Sequence, residues 1–200
     1  LYKRKVNVEE KENNSPHNLM VMNSLQLRAA LQNIPCDTAG VYAADEIPTV
    51  WSKPAGIIAN TDDHTKPGTH WVAMYVGRDG VGHYFDSYGL PPIIPQHLKR
   101  LRRNCKILFY NPQQFQSNTS DVCGQFYVMF VHLMCTGFGM HRFRDIFSND
   151  LSRNDKIVRN YYNTYMTHQQ SYISNKNQFI GRGMSHSGCA SQTQSCYSRK

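Results

Sequence analysis

The sequence predicts one domain that mixes helices and strands around a single buried helix. Residues Phe126 to Met134 are apolar except for His132, so no polar face remains at the 3.6-residue spacing of a helix. The segment HWVAMYV, which ends at Val76, is apolar in both of its alternating sets. That pattern predicts a strand covered on both faces. GRDG then leads into VGHYFDSYG, and the two segments form the clearest predicted hairpin.

Length and composition support one domain with a proper core, because the chain has 200 residues of which 40% are hydrophobic. No apolar run approaches a membrane span, and LYKRKVNVEEKENN has no signal-peptide core, so we expect an intracellular protein without membrane contact. The six cysteines form no C-x-x-C pair, which favours free thiols over a disulfide framework. A net charge of +8 favours polyanionic partners.

Polarity divides the chain into three parts. Residues 1–18 are charged and polar and are expected to form a mobile arm. Residues 19–167 contain the predicted folded domain. Residues 168–200 are rich in Gln, Ser, Asn and Gly, so we expect a disordered basic and polar tail.

The remaining elements follow from periodicity and capping signals. In chain order they are a helix SLQLRAALQNI capped by Asn23 or Ser24, a buried strand Gly56–Asn60, a helix Pro95–Arg103, a strand Cys105–Tyr110 and a helix Asp155–Met166. The Pro95 helix carries an exposed basic side of Lys99, Arg100, Arg102 and Arg103. Such a run is usually a solvated face, and DNA binding is the alternative.

The buried helix begins close to Cys123. The run Ser-Asn-Thr-Ser-Asp before it is typical of helix N-caps, which places Cys123 and Gly124 in the first turn. There the positive end of the helix dipole favours thiolate over thiol. Gly124 leaves room for close approach to the backbone. The alternative is a small buried cysteine without a chemical role.

The turn of the hairpin decides whether His70 can meet Asp86. A three-residue loop with a left-handed glycine places the two on one face, opposite or diagonal. A two-residue loop places Ser87 opposite His70 and turns Asp86 away.

Four residues then form the parts of a cysteine-protease site in the order His70, Asp86, Gln116, Cys123. His70 takes the thiol proton, and Asp86 orients its ring. The backbone N–H of Cys123 and the side-chain amide of Gln116 are the donors for the oxyanion. His64, His83, His97 and His132 are competing bases, and His132 on the apolar helix is more often a core residue.

The motifs G-T-H-W-V-A, Y-F-D-S-Y-G and Q-S-x-x-S-x-x-C-G resemble the adenovirus protease (adenain) family, and more distantly the SUMO-specific proteases. The likeness covers roughly residues 24 to 165 and assigns the four residues the same roles. Asp86 is a departure, because the adenoviral enzymes have glutamate there. Proteases of this type also occur in virus-like DNA transposons of the Maverick or Polinton kind.

This resemblance implies an α+β fold, with a mixed sheet packed on the helix that carries the nucleophilic cysteine. It implies a monomeric endopeptidase that cleaves virion precursor proteins at glycine-containing sites, in the host nucleus or a virus-like particle. The sequence requires no cofactor, but the resemblance allows an activating peptide and DNA. The place of Cys105 resembles the position at which adenoviral proteases bind that peptide through a disulfide. Flanking Arg102, Arg103 and Lys106 would depress the pKa of Cys105 if it is exposed.

Other interpretations stay open from the sequence. An isopeptidase acting on a ubiquitin-like modifier fits the same site. A DNA-binding capsid component without activity fits the fold, but it has no need of all four groups. Cys196 is a conceivable partner for Cys105. A zinc site formed by His186, Cys189 and Cys196 has too few ligands and irregular spacing.

Overall fold

The computed structural model describes residues 22–183, with side chains as far as residue 174. The predicted N-terminal arm therefore lies outside the described residues. The elements follow in the order α1 (Ser24–Leu31), β1 (Thr38–Tyr42), β2 (Ala55–Asn60), β3 (Trp71–Val76), β4 (Val81–Phe85), α2 (Pro95–Asn104), β5 (Ile107–Tyr110), α3 (Cys123–Cys135), α4 (Met140–Asp145) and α5 (Leu151–Gly183).

The strands form one mixed sheet in the order β1-β2-β3-β4-β5. The outer pairs, β1 with β2 and β4 with β5, are parallel, whereas β3 pairs antiparallel with β2 and β4. The chain is therefore α+β with a mixed sheet, as expected. Since β3 lies in the middle, its two alternating apolar sets face two separate cores.

The buried helix α3 lies on one face of the sheet, in contact with β2, β3, α1, α4 and α5. Its side chains from Phe126 to Val131 are almost fully buried, and they join Phe85 and Ala73 of the sheet in the larger core. A smaller core on the opposite face contains Met74 of β3 and Leu101 of α2. The apolar pattern of α3 is thus explained by protein on all sides.

The hairpin between β3 and β4 has the three-residue loop that aligns His70 with Asp86. Gly77 pairs with Val81 through its N–H, and Gly80 closes the turn at a φ of 84°, a left-handed conformation that favours glycine. The register pairs Ala73 with Phe85. Extending it by three residues puts His70 opposite Tyr88 and diagonal to Asp86, on one face.

The predicted disorder from residue 168 is wrong as far as residue 183, because α5 continues to Gly183. No glycine or proline interrupts residues 151–180, so nothing in the local sequence ends the helix. Gln169 adds a tertiary anchor, since it accepts a hydrogen bond from Asn33 and donates one to Tyr165. Residues 184–200 lie outside the described part.

Strand β1 and helix α4 were not predicted. Val41 is the one fully buried residue of β1, and Phe143 is the one in α4, so neither shows a clear period. The parallel pairing with β2 and the packing of Phe143 into the larger core form these elements.

Cys36 and Cys135 form a disulfide with Cα atoms 5.6 Å apart, so the expectation of free thiols is wrong for this pair. Ninety-nine residues separate them, which hid the pairing in the sequence. Gly56 makes room for the bridge, because a Cβ there would lie 3.0 Å from the Cys135 sulfur. Cys105 and Cys123 are free thiols, and Cys189 and Cys196 lie outside the described residues.

None of the helices in the described part of the chain has both the length and the hydropathy that crossing a membrane requires.

Candidate active site

Three of the four predicted residues lie at the ends of regular elements, and the fourth lies in a loop. His70 directly precedes β3, and Asp86 directly follows β4. Cys123 is the first residue of α3, and Gln116 lies in the loop that leads into that helix.

His70 and Asp86 form a hydrogen-bonded pair, with 2.9 Å between His70 Nε2 and Asp86 Oδ2. Asp86 is 2% exposed, and its second carboxylate oxygen accepts the Tyr88 N–H at 2.8 Å. Buried Asn111 holds the backbone of Asp86 on both sides, accepting its N–H at 3.0 Å and donating to its carbonyl at 2.8 Å. Because Asp86 uses Nε2, the Nδ1 atom of His70 is the nitrogen left for a thiol proton.

The Gln116 side chain is fully buried and fixed at both ends of its amide. Its Oε1 accepts from Ser87 Oγ at 2.7 Å, and its Nε2 donates to the Ser120 carbonyl at 2.9 Å. One Nε2 hydrogen stays available for a second acceptor.

Helix α5 anchors the backbone on either side of Gln116. Asn154, also fully buried, donates to the Phe115 carbonyl at 3.1 Å, and Asp155 accepts from the Ser117 N–H at 3.3 Å. Two consecutive residues of a distant helix therefore hold the residues before and after Gln116.

Cys123 lies in the first turn as predicted, but the Ser-Asn-Thr-Ser-Asp run does not cap the helix. The N-cap is Val122, without a side-chain bond, and the hydroxyls of Ser117 and Thr119 bond to each other instead. The N–H groups of the first turn consequently have no capping acceptor, which suits them to bind an external oxyanion.

The expected thiolate stabilisation does not dominate at Cys123. The side chain is 8% exposed, and burial raises the pKa of Cys123 to about 11. The N–H groups of Gly124 and Cys123 act in the opposite direction, whereas the charges of Asp121 and Asp86 add to the effect of burial. Removal of the sulfur from water destabilises the thiolate by more than the two backbone N–H dipoles stabilise it. Between the two described side chains there is no direct thiol–imidazole hydrogen bond, which is common for catalytic pairs in the absence of substrate.

Three residues of the site were missed. Ser87 and Tyr127 connect Gln116 to His70, with Tyr127 Oη 2.9 Å from Ser87 Oγ and 3.4 Å from His70 Nε2. Asn111 supports Asp86. Ser87 is next to Asp86 in the sequence, and Tyr127 lies one helical turn after Cys123, so their positions could have suggested a place in the site. Nothing in the sequence around Asn111 indicates its contact with Asp86.

The space expected over Gly124 is filled by the chain itself. A Cβ on Gly124 would lie 2.7 Å from the Met22 side chain. Met22 and Trp71 line a cleft of about 620 Å³ between α1 and the loop before β3. Met22 contacts Gly124, the residue after Cys123, and Trp71 follows His70 in the chain. The cleft therefore has two lining residues next to the four-residue site, but none of the four site residues lines it.

The competing histidines lie in other environments. His64 pairs with Asp45 at the surface, and His83 stacks between Tyr75 and Phe109. Buried His97 bonds to the Asn60 carbonyl, and His132 bonds to Tyr161. No group of three metal-ligating side chains occurs within residues 22–174, and the considered zinc ligands lie beyond them.

Cys105 is a half-buried free thiol whose Sγ approaches Gly82 of β4. Burial raises the pKa of Cys105, so the depression expected for an exposed thiol is absent.

On α2, Lys99, Arg102 and Arg103 are exposed, and Arg100 donates to Thr49.

Three comparisons with known proteins bear on this site. No protein-family model matches the chain. The protein named "Putative thiol protease R355" of Acanthamoeba polyphaga mimivirus is 33% identical over an alignment of 124 residues, with coverage of 57% of this chain and 39% of R355. The chain thus spans about two fifths of that relative. The crystal structure of the ASFV pS273R protease aligns at 22% identity with a TM-score of 0.36, covering 52% of this chain and 42% of that one.

Proposed function

We propose that the chain is a cysteine protease in which His70, Asp86, Gln116 and Cys123 perform peptide hydrolysis. The observation that carries this proposal is the hydrogen-bonded His70–Asp86 pair at the same end of the fold as the uncapped first turn of α3. The similarity of the chain to a protein named as a thiol protease supports the same activity. The adenain-like motifs add support for a virus-related origin.

The reaction begins when His70 Nδ1 takes the thiol proton from Cys123. The sulfur then forms a bond to the scissile carbonyl carbon, and the carbonyl oxygen becomes an oxyanion. The Cys123 N–H and the available Gln116 Nε2–H donate to it. Collapse breaks the C–N bond, and the amine leaves with the proton held by His70. Water, activated by His70, hydrolyses the thioester and restores the thiol.

The cleft that ends at Met22 and Trp71 is where we place the substrate chain. We propose glycine-containing sites in virion or capsid precursor proteins as substrates, cleaved in the host nucleus or a virus-like particle. This assignment is supported by the motif resemblance, whereas the mimivirus relative supports only a virus-related thiol protease. The cleft carries carboxylates of Glu46, Asp62 and Asp63, which Arg28 and Lys66 partly balance, so we expect little selection for strongly acidic substrates.

The test is incubation with a peptide that ends in Gly-Gly and bears a thiol-reactive warhead. We expect one adduct by intact mass, mapped to Cys123, with no adduct after His70→Ala. Labelling of Cys105 in place of Cys123 would contradict the proposal. Parallel assays with a capsid-type peptide and a ubiquitin-like conjugate separate endopeptidase from isopeptidase activity.

We also propose that the edge strand β5 accepts an activating peptide. Ile107, Phe109 and Tyr110 are about half exposed on a strand with one free edge, which favours addition of an extended peptide. Cys105 precedes this strand, and a disulfide there would attach the peptide. The exposed cations of α2 are the surface that we propose for DNA. Activity that does not change with a cysteine-containing basic peptide, in wild type and in Cys105→Ser alike, would remove the activation proposal.

A further inference from the structure

A buried chain of hydrogen bonds runs from the Gln116 amide to the His70 ring. Its two intermediate residues are Ser87 and Tyr127, which, like Gln116, are 0% exposed. Ser87 Oγ lies 2.7 Å from Gln116 Oε1 and 2.9 Å from Tyr127 Oη. Tyr127 Oη lies 3.4 Å from His70 Nε2 and accepts the Ser87 N–H at the same distance. The two halves of the candidate site are therefore joined inside the protein.

The direction of every bond in this chain follows from one backbone carbonyl. Ser120 O can only accept, so the Gln116 group that faces it at 2.9 Å must be Nε2. Gln116 Oε1 then faces Ser87 and must accept, so Ser87 Oγ donates its single hydrogen there.

The same reasoning fixes the base. Because the Ser87 hydrogen is used, Tyr127 must donate to Ser87 Oγ. Tyr127 Oη then has only lone pairs for His70, so at 3.4 Å it is the second and weaker acceptor of the single Nε2–H that Asp86 accepts at 2.9 Å. Asp86 requires the same tautomer, and Nδ1 remains the basic nitrogen.

We propose that Ser87 and Tyr127 are positioning residues that couple the orientation of the oxyanion amide to the tautomer of the base. The inference rests on the proposed function, because it assigns a role within that site. Tyr127 lies one helical turn after Cys123, so the helix that carries the nucleophile also carries the connection. Burial raises the pKa of Tyr127 well above its ordinary value, so its hydroxyl keeps the hydrogen that this chain needs.

Two small substitutions remove the coupling. Ser87→Ala deletes the donor to Gln116, and Tyr127→Phe deletes the hydroxyl but keeps the ring that packs edge-on against Phe85. We expect each to lower kcat about 10-fold with KM unchanged, since one hydrogen bond is lost and substrate contacts are not. Tyr165→Phe is the matched control, because it loses a buried hydroxyl bond to the Ala30 carbonyl far from the site. That control should keep wild-type kcat.

Double variants distinguish positioning from packing. If Ser87 acts through Gln116, adding Ser87→Ala to Gln116→Ala should change kcat less than twofold. A further loss of about 10-fold in that background, as large as in the wild-type background, would overturn the proposal. A KM effect without a kcat effect would overturn it as well.

A readout without turnover keeps the two proposals separate. The Gln116 side-chain amide hydrogens can be assigned by NMR through their loss in Gln116→Ala, and the His70 tautomer through its ring nitrogen shifts. We expect Nε2–H on His70 in the wild type, and at least about 10-fold faster solvent exchange of the Gln116 amide in Ser87→Ala. Unchanged exchange would refute the coupling even in an active protease. Changed exchange in a protein that cleaves no peptide would support the coupling and reject only the protease function.

Discussion

The two ends of helix α3 contain the same residue types in opposite roles. At the N-terminal end, Cys123 is a free thiol, and His70 is held by Asp86. At the C-terminal end, Cys135 is in a disulfide, and His132 bonds to Tyr161. A cavity of about 720 Å³ opens at this second end, but none of the four site residues lines it.

The difference lies in what surrounds each pair. The N-terminal end offers free N–H groups and a buried carboxylate, which stabilise negative charge on a reacting oxygen and positive charge on the base. The C-terminal end offers the carbonyl end of the helix, where Thr136 already donates to the His132 carbonyl at 3.0 Å. Burial lowers the pKa of His132, and no charged side chain in the described part of the chain opposes that effect. Both ends have a cysteine and a histidine near a tyrosine, so the free N–H groups and the carboxylate are what distinguishes the end to which we assign the proposed chemistry.

The largest effect is expected from Cys123→Ala, which should abolish peptide cleavage and leave the fold intact. The matched control is the double variant Cys36→Ala/Cys135→Ala, which removes the thiols of the other end and should keep kcat. Chromogenic peptide cleavage measures both. Turnover by Cys123→Ala would disprove the role of this end.

Asp86→Asn should lower kcat by about 10³- to 10⁴-fold, the order of loss expected when the carboxylate that orients a catalytic histidine becomes an amide. The amide keeps an acceptor for Tyr88 but can present an N–H to His70 Nε2, which favours the wrong tautomer. Because burial keeps Cys123 a thiol, the reaction depends on a base that removes the thiol proton. Asp45→Asn breaks the exposed pair with His64 and should leave kcat unchanged. Similar rates for both variants would show that Asp86 does not orient the base.

Gln116→Ala should lower kcat by about 100- to 1000-fold with little change in KM, since one oxyanion donor is lost. Gln169→Ala is the comparison near the other end of α3, where the amide bonds to Tyr165 and Asn33. Its kcat should equal that of the wild type. A rise in KM alone for Gln116→Ala would make it a binding residue.

Reduction of the Cys36–Cys135 bond should lower the free energy of unfolding by up to about 4.7 kcal/mol, because the bond closes a long loop in the unfolded chain and reduction releases it. Urea unfolding with and without reductant measures this, and Cys36→Ser/Cys135→Ser should not respond to reductant. We expect kcat to stay the same, which would separate the structural end of α3 from the chemical end. A large loss of kcat on reduction would connect the two.

Acid should weaken the fold through His97, away from both ends of α3. Burial lowers the pKa of His97 to about 4, below the value of 6.5 expected when the chain is unfolded. The unfolded state therefore binds the extra proton first, and stability falls as the pH drops from about 6.5 to 4 by about 3 kcal/mol. His97→Gln should show a flatter profile in denaturant titrations at each pH. An equally steep profile would assign the loss to other groups.

The sequence by itself determined the local elements and the identity of the site candidates. Periodicity located α3, both strands of the hairpin and α2, and the roles proposed for Cys123 and His70 follow from residue type and position. The predicted elements are confirmed because a helix turn, a strand pleat and a glycine turn are encoded within a few neighbouring residues, whereas the roles of Cys123 and His70 stay predictions.

Only the tertiary structure decided which groups meet. The Cys36–Cys135 bridge joins residues that are 99 apart, and Asn154 reaches the Phe115 carbonyl across 39 residues. Burial of Cys123 reversed the pKa shift that its helix position alone predicts. Each of these depends on packing between distant segments, because solvent exclusion and hydrogen-bond partners at a site come from the whole fold and leave no local trace in the chain.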